Sequence, residues 1–249
     1  MSARRRHGGR NALLLIAALF ALWQAMFWAV GDAALSSPLA TLRYTANLVT
    51  GENFRMHLFD TMRAFAIAFV LSVMIGLLVG FWLGFDRLSG DALEPMIVTV
   101  YAIPKLTLYP ILLLAFGLGL SAKVAFGVLH GTIPIILFTL GAVRNTRPIL
   151  LKTGHVLKLS RPQMVRWILF PAAVPEIFTG LRVGFSLTLI GSLLAEMFAS
   201  QRGLGYLLMN GIGLHNIELV MSVTLLIVVF AAAVSTLLLQ IDRRLHRQA

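Results

Sequence analysis

Few side chains in this sequence could do chemistry, and those lie in apolar surroundings. Arg63, Lys105, Lys123, Arg182 and Glu196 are the ionisable residues within long hydrophobic runs. A charge there is costly and marks a pathway, a relay or a structural pair. Lys105 lies deepest and follows Pro104 directly. It reads two ways: as a contact for an anionic solute, or as an ammonium resting on carbonyls freed at a proline kink. Arg63 is close enough to an interface to snorkel, and Lys123 and Glu196 fall near the outer ends of their runs. Glu196 and Arg182 on one helix stand about 21 Å apart and cannot pair. Ser186 and Ser192 have no base near them in the sequence. The 6 histidines are scattered without ligand spacing, and with 0 cysteines there is no thiolate or disulfide. There is no G-x-x-x-x-G-K-[ST] loop and no H-E-x-x-H. These absences argue against an enzyme, a metal site and a cofactor bound by this chain.

The elements that must position these residues are membrane helices. The 249 residues are 58% hydrophobic and 12% charged, against about 25% charged in soluble domains. Mean hydropathy is +0.86, and several runs exceed the roughly 20 apolar residues that span a bilayer. The expectation is an all-α polytopic membrane protein with six transmembrane helices, near residues 12–30, 58–85, 93–116, 122–143, 176–198 and 217–240. The first run competes with a secretory signal peptide, but is longer than the 7–15 apolar residues of such a signal. Residues 33–57 read as an external loop with a short surface helix. Gly76, Gly80 and Gly84 share one helix face and invite a close neighbour. Pro95, Pro104 and Pro110 break the third run, and the fourth carries His130 and Pro134. Such breaks suit either the lining of a pathway or kinked packing.

Charge sets the orientation. With a cytoplasmic tail at residues 1–11 and both termini inside, the inner segments hold 14 Lys/Arg and the outer segments 3, as the positive-inside rule requires. The net charge of +11 is thereby accounted for without nucleic acid. The largest inner segment is residues 144–175. There Thr146 with Pro148 predicts a helix over residues 148–157. Ser160 with Gln163 forms the pattern of a capping box opening a second helix to about residue 170, which Pro171 and Pro175 end before the fifth span. The alternative is an irregular basic loop on anionic lipid.

This stretch resembles the cytoplasmic EAA loop of binding-protein-dependent ABC importer permeases, the nitrate/sulfonate/taurine type in particular. The resemblance rests on Leu157, Ser160, Arg161, Ile168, Leu169, Pro171, Ala173, Pro175, Gly180, Leu181 and Arg182. It extends to Ile103-Pro104-Lys105, Pro110, Gly117, Gly119, Ala195-Glu196 and Gly203-Leu204-Gly205-Tyr206, covering about residues 55–245. The E-A-A positions hold Lys152, Thr153 and Gly154 instead, the loop glycine is Lys158, and the following alanine is Leu159. A left-handed turn at Lys158 costs a non-glycine residue about 1 kcal/mol.

The resemblance implies a type I importer permease in the bacterial cytoplasmic membrane, with a transport domain at residues 55–245 preceded by a first helix and external loop at 12–57. It implies a second permease copy, ABC ATPase subunits that hydrolyse ATP, and a solute-binding protein delivering a small anionic or polar solute. The loop residues it assigns to the ATPase are Lys152, Thr153, Gly154, His155, Leu157, Lys158, Leu159, Ser160 and Arg161. Pro104, Lys105 and His130 are candidates for the pathway. An ion-coupled carrier would need more midplane charge and often an internal repeat; a non-transporting partner subunit is the other alternative.

Overall fold

The computed structural model describes residues 2–248, with side chains from residue 14 to 244 except those of residues 151, 161, 162 and 199. Among the described residues all regular structure is helical: α1 (Ser2–Val30), α2 (Pro38–Thr50), α3 (Glu52–Phe85), α4 (Arg87–Ala102), a 3-10 turn (Lys105–Leu108), α5 (Tyr109–Phe116), α6 (Leu120–Arg144), α7 (Pro148–Val156), α8 (Arg161–Met164), a π turn (Val165–Leu169), α9 (Phe170–Ala199), α10 (Leu204–Gly213) and α11 (Ile217–Gln248). Helix α1 therefore starts at Ser2, within the segment expected to be a tail.

Among the described residues four helical stretches are long and apolar enough to cross a membrane: Glu52–Phe85, Leu120–Arg144, Val165–Phe198 and Ile217–Arg244. The expected third span is not one straight helix, because Arg87–Ala102 and Lys105–Phe116 meet at 88°. The residue before a proline is pushed out of the α region, and Ile103 accordingly takes ψ 135 before Pro104. Among the residues with described side chains, α1 contributes the apolar stretch Leu14–Val30. The expected surface helix is α2, opened by Ser37 Oγ accepting from the Ala40 N–H (3.2 Å) with Pro38 in the first turn. Helix α3 begins at Glu52 rather than at residue 58.

The core is α6 held between α3 and α9. The glycine face of α3 lies on α6: a Cβ at Gly76 would fall 2.6 Å from Ile135 Cβ, at Gly80 2.6 Å from Thr139 Cβ, and at Gly84 2.7 Å from Val143 Cβ. Helix α9 approaches α6 in the same way, with Gly180 against Phe138 and Gly184 against Ile135. Phe65, Phe185 and Leu189 fill the space between α3 and α9, flanked by Phe230 and Val234 of α11.

Pro171 and Pro175 do not end the second loop helix. Helical structure is unbroken from Arg161 to Ala199. The widened π turn sits just before Pro171, where the missing N–H and the ring's clash with the preceding carbonyl must be absorbed. The Thr179 hydroxyl donates to the Pro175 carbonyl (3.3 Å).

Gly80→Val places its Cβ against Thr139 and within 2.9 Å of the Ile136 carbonyl oxygen and should cost at least about 1–3 kcal/mol. Gly141→Ala meets only Asn145 Nδ2 at 3.8 Å and should gain up to about 1 kcal/mol. Thermal unfolding in detergent, comparing both variants with the unaltered chain, checks the contrast.

Candidate functional site

At the end of the bundle where α6 closes and α9 opens, α7 and α8 form a helical hairpin. Its first helix ends in a Schellman motif: the Lys158 N–H donates to the His155 carbonyl (3.0 Å) and the Leu159 N–H to the Gly154 carbonyl (3.0 Å). Lys158 is the left-handed residue, at φ 53. The turn thus keeps the conformation that suits glycine, and the hydrogen bonds hold a lysine in it. The second helix opens with one arm of the expected capping box, Gln163 Oε1 accepting from the Ser160 N–H (2.9 Å), while the Ser160 hydroxyl donates to the same oxygen (3.0 Å). The first opens differently. Thr146 does not cap it but donates to the Ala142 carbonyl (3.2 Å), and Arg147 stands at the N-cap without a side-chain bond.

Gly154 is buried where the two helices cross, since a Cβ there would fall 2.4 Å from Met164 Sδ and 2.8 Å from Ile168 Cδ1. Lys152, Thr153, His155, Lys158 and Ser160 are exposed and Leu159 is half-buried; the Arg161 side chain lies outside the described residues. The Thr153 hydroxyl donates to the Ile149 carbonyl (2.9 Å). Apolar side chains also stand exposed on α7: Ile149 near its start and Val156 and Leu157 at the turn are 65%, 81% and 64% exposed. Arg144, where α6 enters the hairpin, is fastened to α4 through Asp91 (2.9 Å) and Glu94 (3.1 Å).

The opposite end is closed by a buried charge. Glu196 has no exposed surface. Its Oε2 accepts from the Thr61 hydroxyl (2.8 Å) and the Gly205 N–H (3.0 Å), and its Oε1 faces Lys123 Nζ at 3.4 Å. That last separation is long for a hydrogen bond; the short bond of Lys123 goes to the Arg202 carbonyl (2.6 Å). His57 Nδ1 accepts from the Gly203 N–H (3.0 Å), and the Thr61 hydroxyl oxygen from the Leu204 N–H (2.8 Å). The carboxylate therefore caps the N-terminus of α10, where the helix dipole favours negative charge. Gly203 is required twice over: its φ is +119, and a Cβ would fall 2.1 Å from the Glu196 carboxyl carbon.

The pathway candidates separate from both ends. Lys105 Nζ donates to the Tyr101 carbonyl (2.9 Å) and lies over the Tyr101 ring at 4.6 Å, so in this structure it rests on backbone freed at the Pro104 break. His130 Nδ1 donates to the Phe126 carbonyl (2.9 Å), and its ring packs where a Cβ on Gly191 would stand. Sequence reasoning missed the union of Lys123 with Glu196. Both had been placed at the outer ends of their runs, which was the usable signal, but 73 residues separate them. It also missed Arg182 with Asp242 (3.8 Å), which joins α9 to α11.

The chain is thus a helical membrane bundle locked by buried charge at one end and prolonged at the other into an exposed hairpin. The chain belongs to the family of binding-protein-dependent transport system inner membrane components, whose model matches residues 72–248. It is a transport subunit, and ATP hydrolysis in this family falls to a separate ATPase. Among curated proteins it is 28% identical over 210 residues to a protein described as an aliphatic sulfonates transport permease of Bacillus subtilis (83% of this chain, 76% of that one). It is 30% identical over 200 residues to the nitrate import permease of Synechocystis (77% and 72%). It is 25% identical over 241 residues to the taurine transport system permease of Escherichia coli (92% and 86%). An inward-facing structure of a methionine ABC transporter aligns with 78% of this chain and 99% of its own at TM-score 0.64 and 17% identity, which shows a shared fold.

Glu196→Ala leaves Lys123 buried without its counter-ion and should destabilise by about 3–5 kcal/mol; replacing both residues by Met should restore much of the loss, read as the thermal midpoint in detergent. Lys158→Gly should relieve about 1 kcal/mol of left-handed strain. Amide exchange at Leu159 should then slow about five-fold.

Proposed function

We propose that this chain is one of two identical permease subunits that import a small anionic or polar organic solute across a bacterial cytoplasmic membrane. In this reading α1 and the bent pair of α4 with the Lys105–Phe116 segment complete six membrane segments, both termini are cytoplasmic, and the solute arrives on an external binding protein. The observation that carries the proposal is the hairpin. Its hydrogen-bonded turn holds Val156 and Leu157 out at 81% and 64% exposure, on a segment that the charge asymmetry assigns to the cytoplasm. Apolar side chains fixed at the tip of a rigid polar hairpin suit a groove on a partner. The partner is the ABC ATPase, and residues 152–161 make the contact. Because α8, the π turn and α9 run on without a break, movement of the hairpin is carried along α9 to the far end of the bundle. The sulfonate, nitrate and taurine relatives support an anionic or zwitterionic solute.

Co-expression with a cognate ABC ATPase and solute-binding protein provides the test. Val156→Asp with Leu157→Asp brings carboxylates into an apolar groove, at a cost of several kcal/mol. It should reduce co-purified ATPase at least about ten-fold while the permease stays monodisperse. Deleting residues 154–159 should abolish both the complex and solute-stimulated ATP hydrolysis. If both survive that deletion, the hairpin is not the docking element.

A further inference from the structure

At the end opposite the hairpin a cavity of about 600 Å³ opens between α3, the start of α6 and the segment joining α9 to α10. Asp60, Arg63, Lys123 and Arg202 are the charged residues in its wall. Lys123 is committed, 5% exposed and held by Glu196 and the Arg202 carbonyl. The Ser200 hydroxyl is committed too, donating to the Arg202 carbonyl (2.6 Å) and accepting from the Arg202 N–H (3.1 Å). The Arg63 and Arg202 guanidiniums and the Asp60 carboxylate have no ion-pair partner among the described residues. Taken with the neutralised Lys123–Glu196 pair, the cavity carries a surplus of one positive charge.

We propose that this cavity receives the head group of a singly charged organic oxyanion, gripped by Arg63 and Arg202, before the solute passes into the bundle. The inference rests on the importer reading above and names where the solute is first held. Guanidinium is the side chain suited to this task, since its planar fork matches two oxygens of one head group. Arg63 and Arg202 are both exposed and Asp60 is half-buried, so both guanidiniums are open to a solute arriving from outside. Gly119 opens α6 at the same wall with no capping side chain, and the free N–H groups of that first turn add to the attraction. Asp60 sets the selectivity. One net positive charge balances a monoanion, whereas a dianion leaves an excess negative charge facing the Asp60 carboxylate. An ammonium carried on the same solute finds in Asp60 its counter-charge.

The test uses the full chain alone in lipid nanodiscs, with no ATPase present, so its outcome is independent of the hairpin experiment. Calorimetric titration should show saturable binding of methanesulfonate and weaker binding of sulfate. Arg63→Gln and Arg202→Gln should each weaken methanesulfonate at least about ten-fold with the thermal midpoint unchanged. Asp60→Asn should raise the affinity for sulfate more than that for methanesulfonate. Three results would overturn the proposal: no saturable anion binding, binding indifferent to both arginine substitutions, or binding only of an acidic peptide. The last would make the cavity a docking surface for protein.

Discussion

Everything in this bundle depends on how closely α3 and α9 come to α6. Between apolar helices in lipid there is no hydrophobic drive to associate, and contact must be won by packing. Glycines at 76, 80 and 84 on one neighbour and at 180 and 184 on the other remove the side chains that would hold the axes apart. Ile135 is gripped from both sides. With α6 fixed, Lys123 near its start and Arg144 at its end stand about 31 Å apart, close to the thickness of a bilayer's hydrocarbon.

The ions at these two ends differ in kind. Lys123 and Glu196 are withdrawn from water, and such a pair adds little over an apolar substitute while costing much if halved. Its effect is to impose one arrangement: the carboxylate is satisfied only when α3, α6 and the start of α10 are all in place. Arg144 meets Asp91 and Glu94 where those carboxylates are 63% and 42% exposed. Solvent screens that fork and makes it weak and renewable. One end is built for definition, the other for rearrangement.

Much of this was legible in the residues. The glycine face of α3, the capping pattern at Ser160 and Gln163, and the hairpin's position between two apolar runs are local signals, and the structure keeps each of them. The resemblance identified the family from Leu157 to Arg182 together with the scattered glycine and proline motifs. What failed to show was non-local or a matter of compensation. Ionisable residues 73 apart in sequence give no sign of meeting. Pro171 and Pro175 look like breaks because proline rules describe a uniform helix, and the widened turn ahead of them escapes those rules. The prolines of the third run announced a break, and one falls at Pro104, but composition does not register that the corner there is 88°. Lys158 looked misplaced for a glycine position, yet two main-chain bonds keep it there.

The widened turn at Val165–Leu169 also fixes a phase relation. One surplus residue in a helical turn advances the side chains beyond it by about 100° around the axis. The face that α8 turns toward Gly154 and the face that α9 turns toward α6 are therefore set separately along one rod. Each could be shaped without disturbing the other, as two keys cut on a single shaft. A bundle interior of one shape can thus be paired with a hairpin of another, with the dislocation between them taking up the difference in angle.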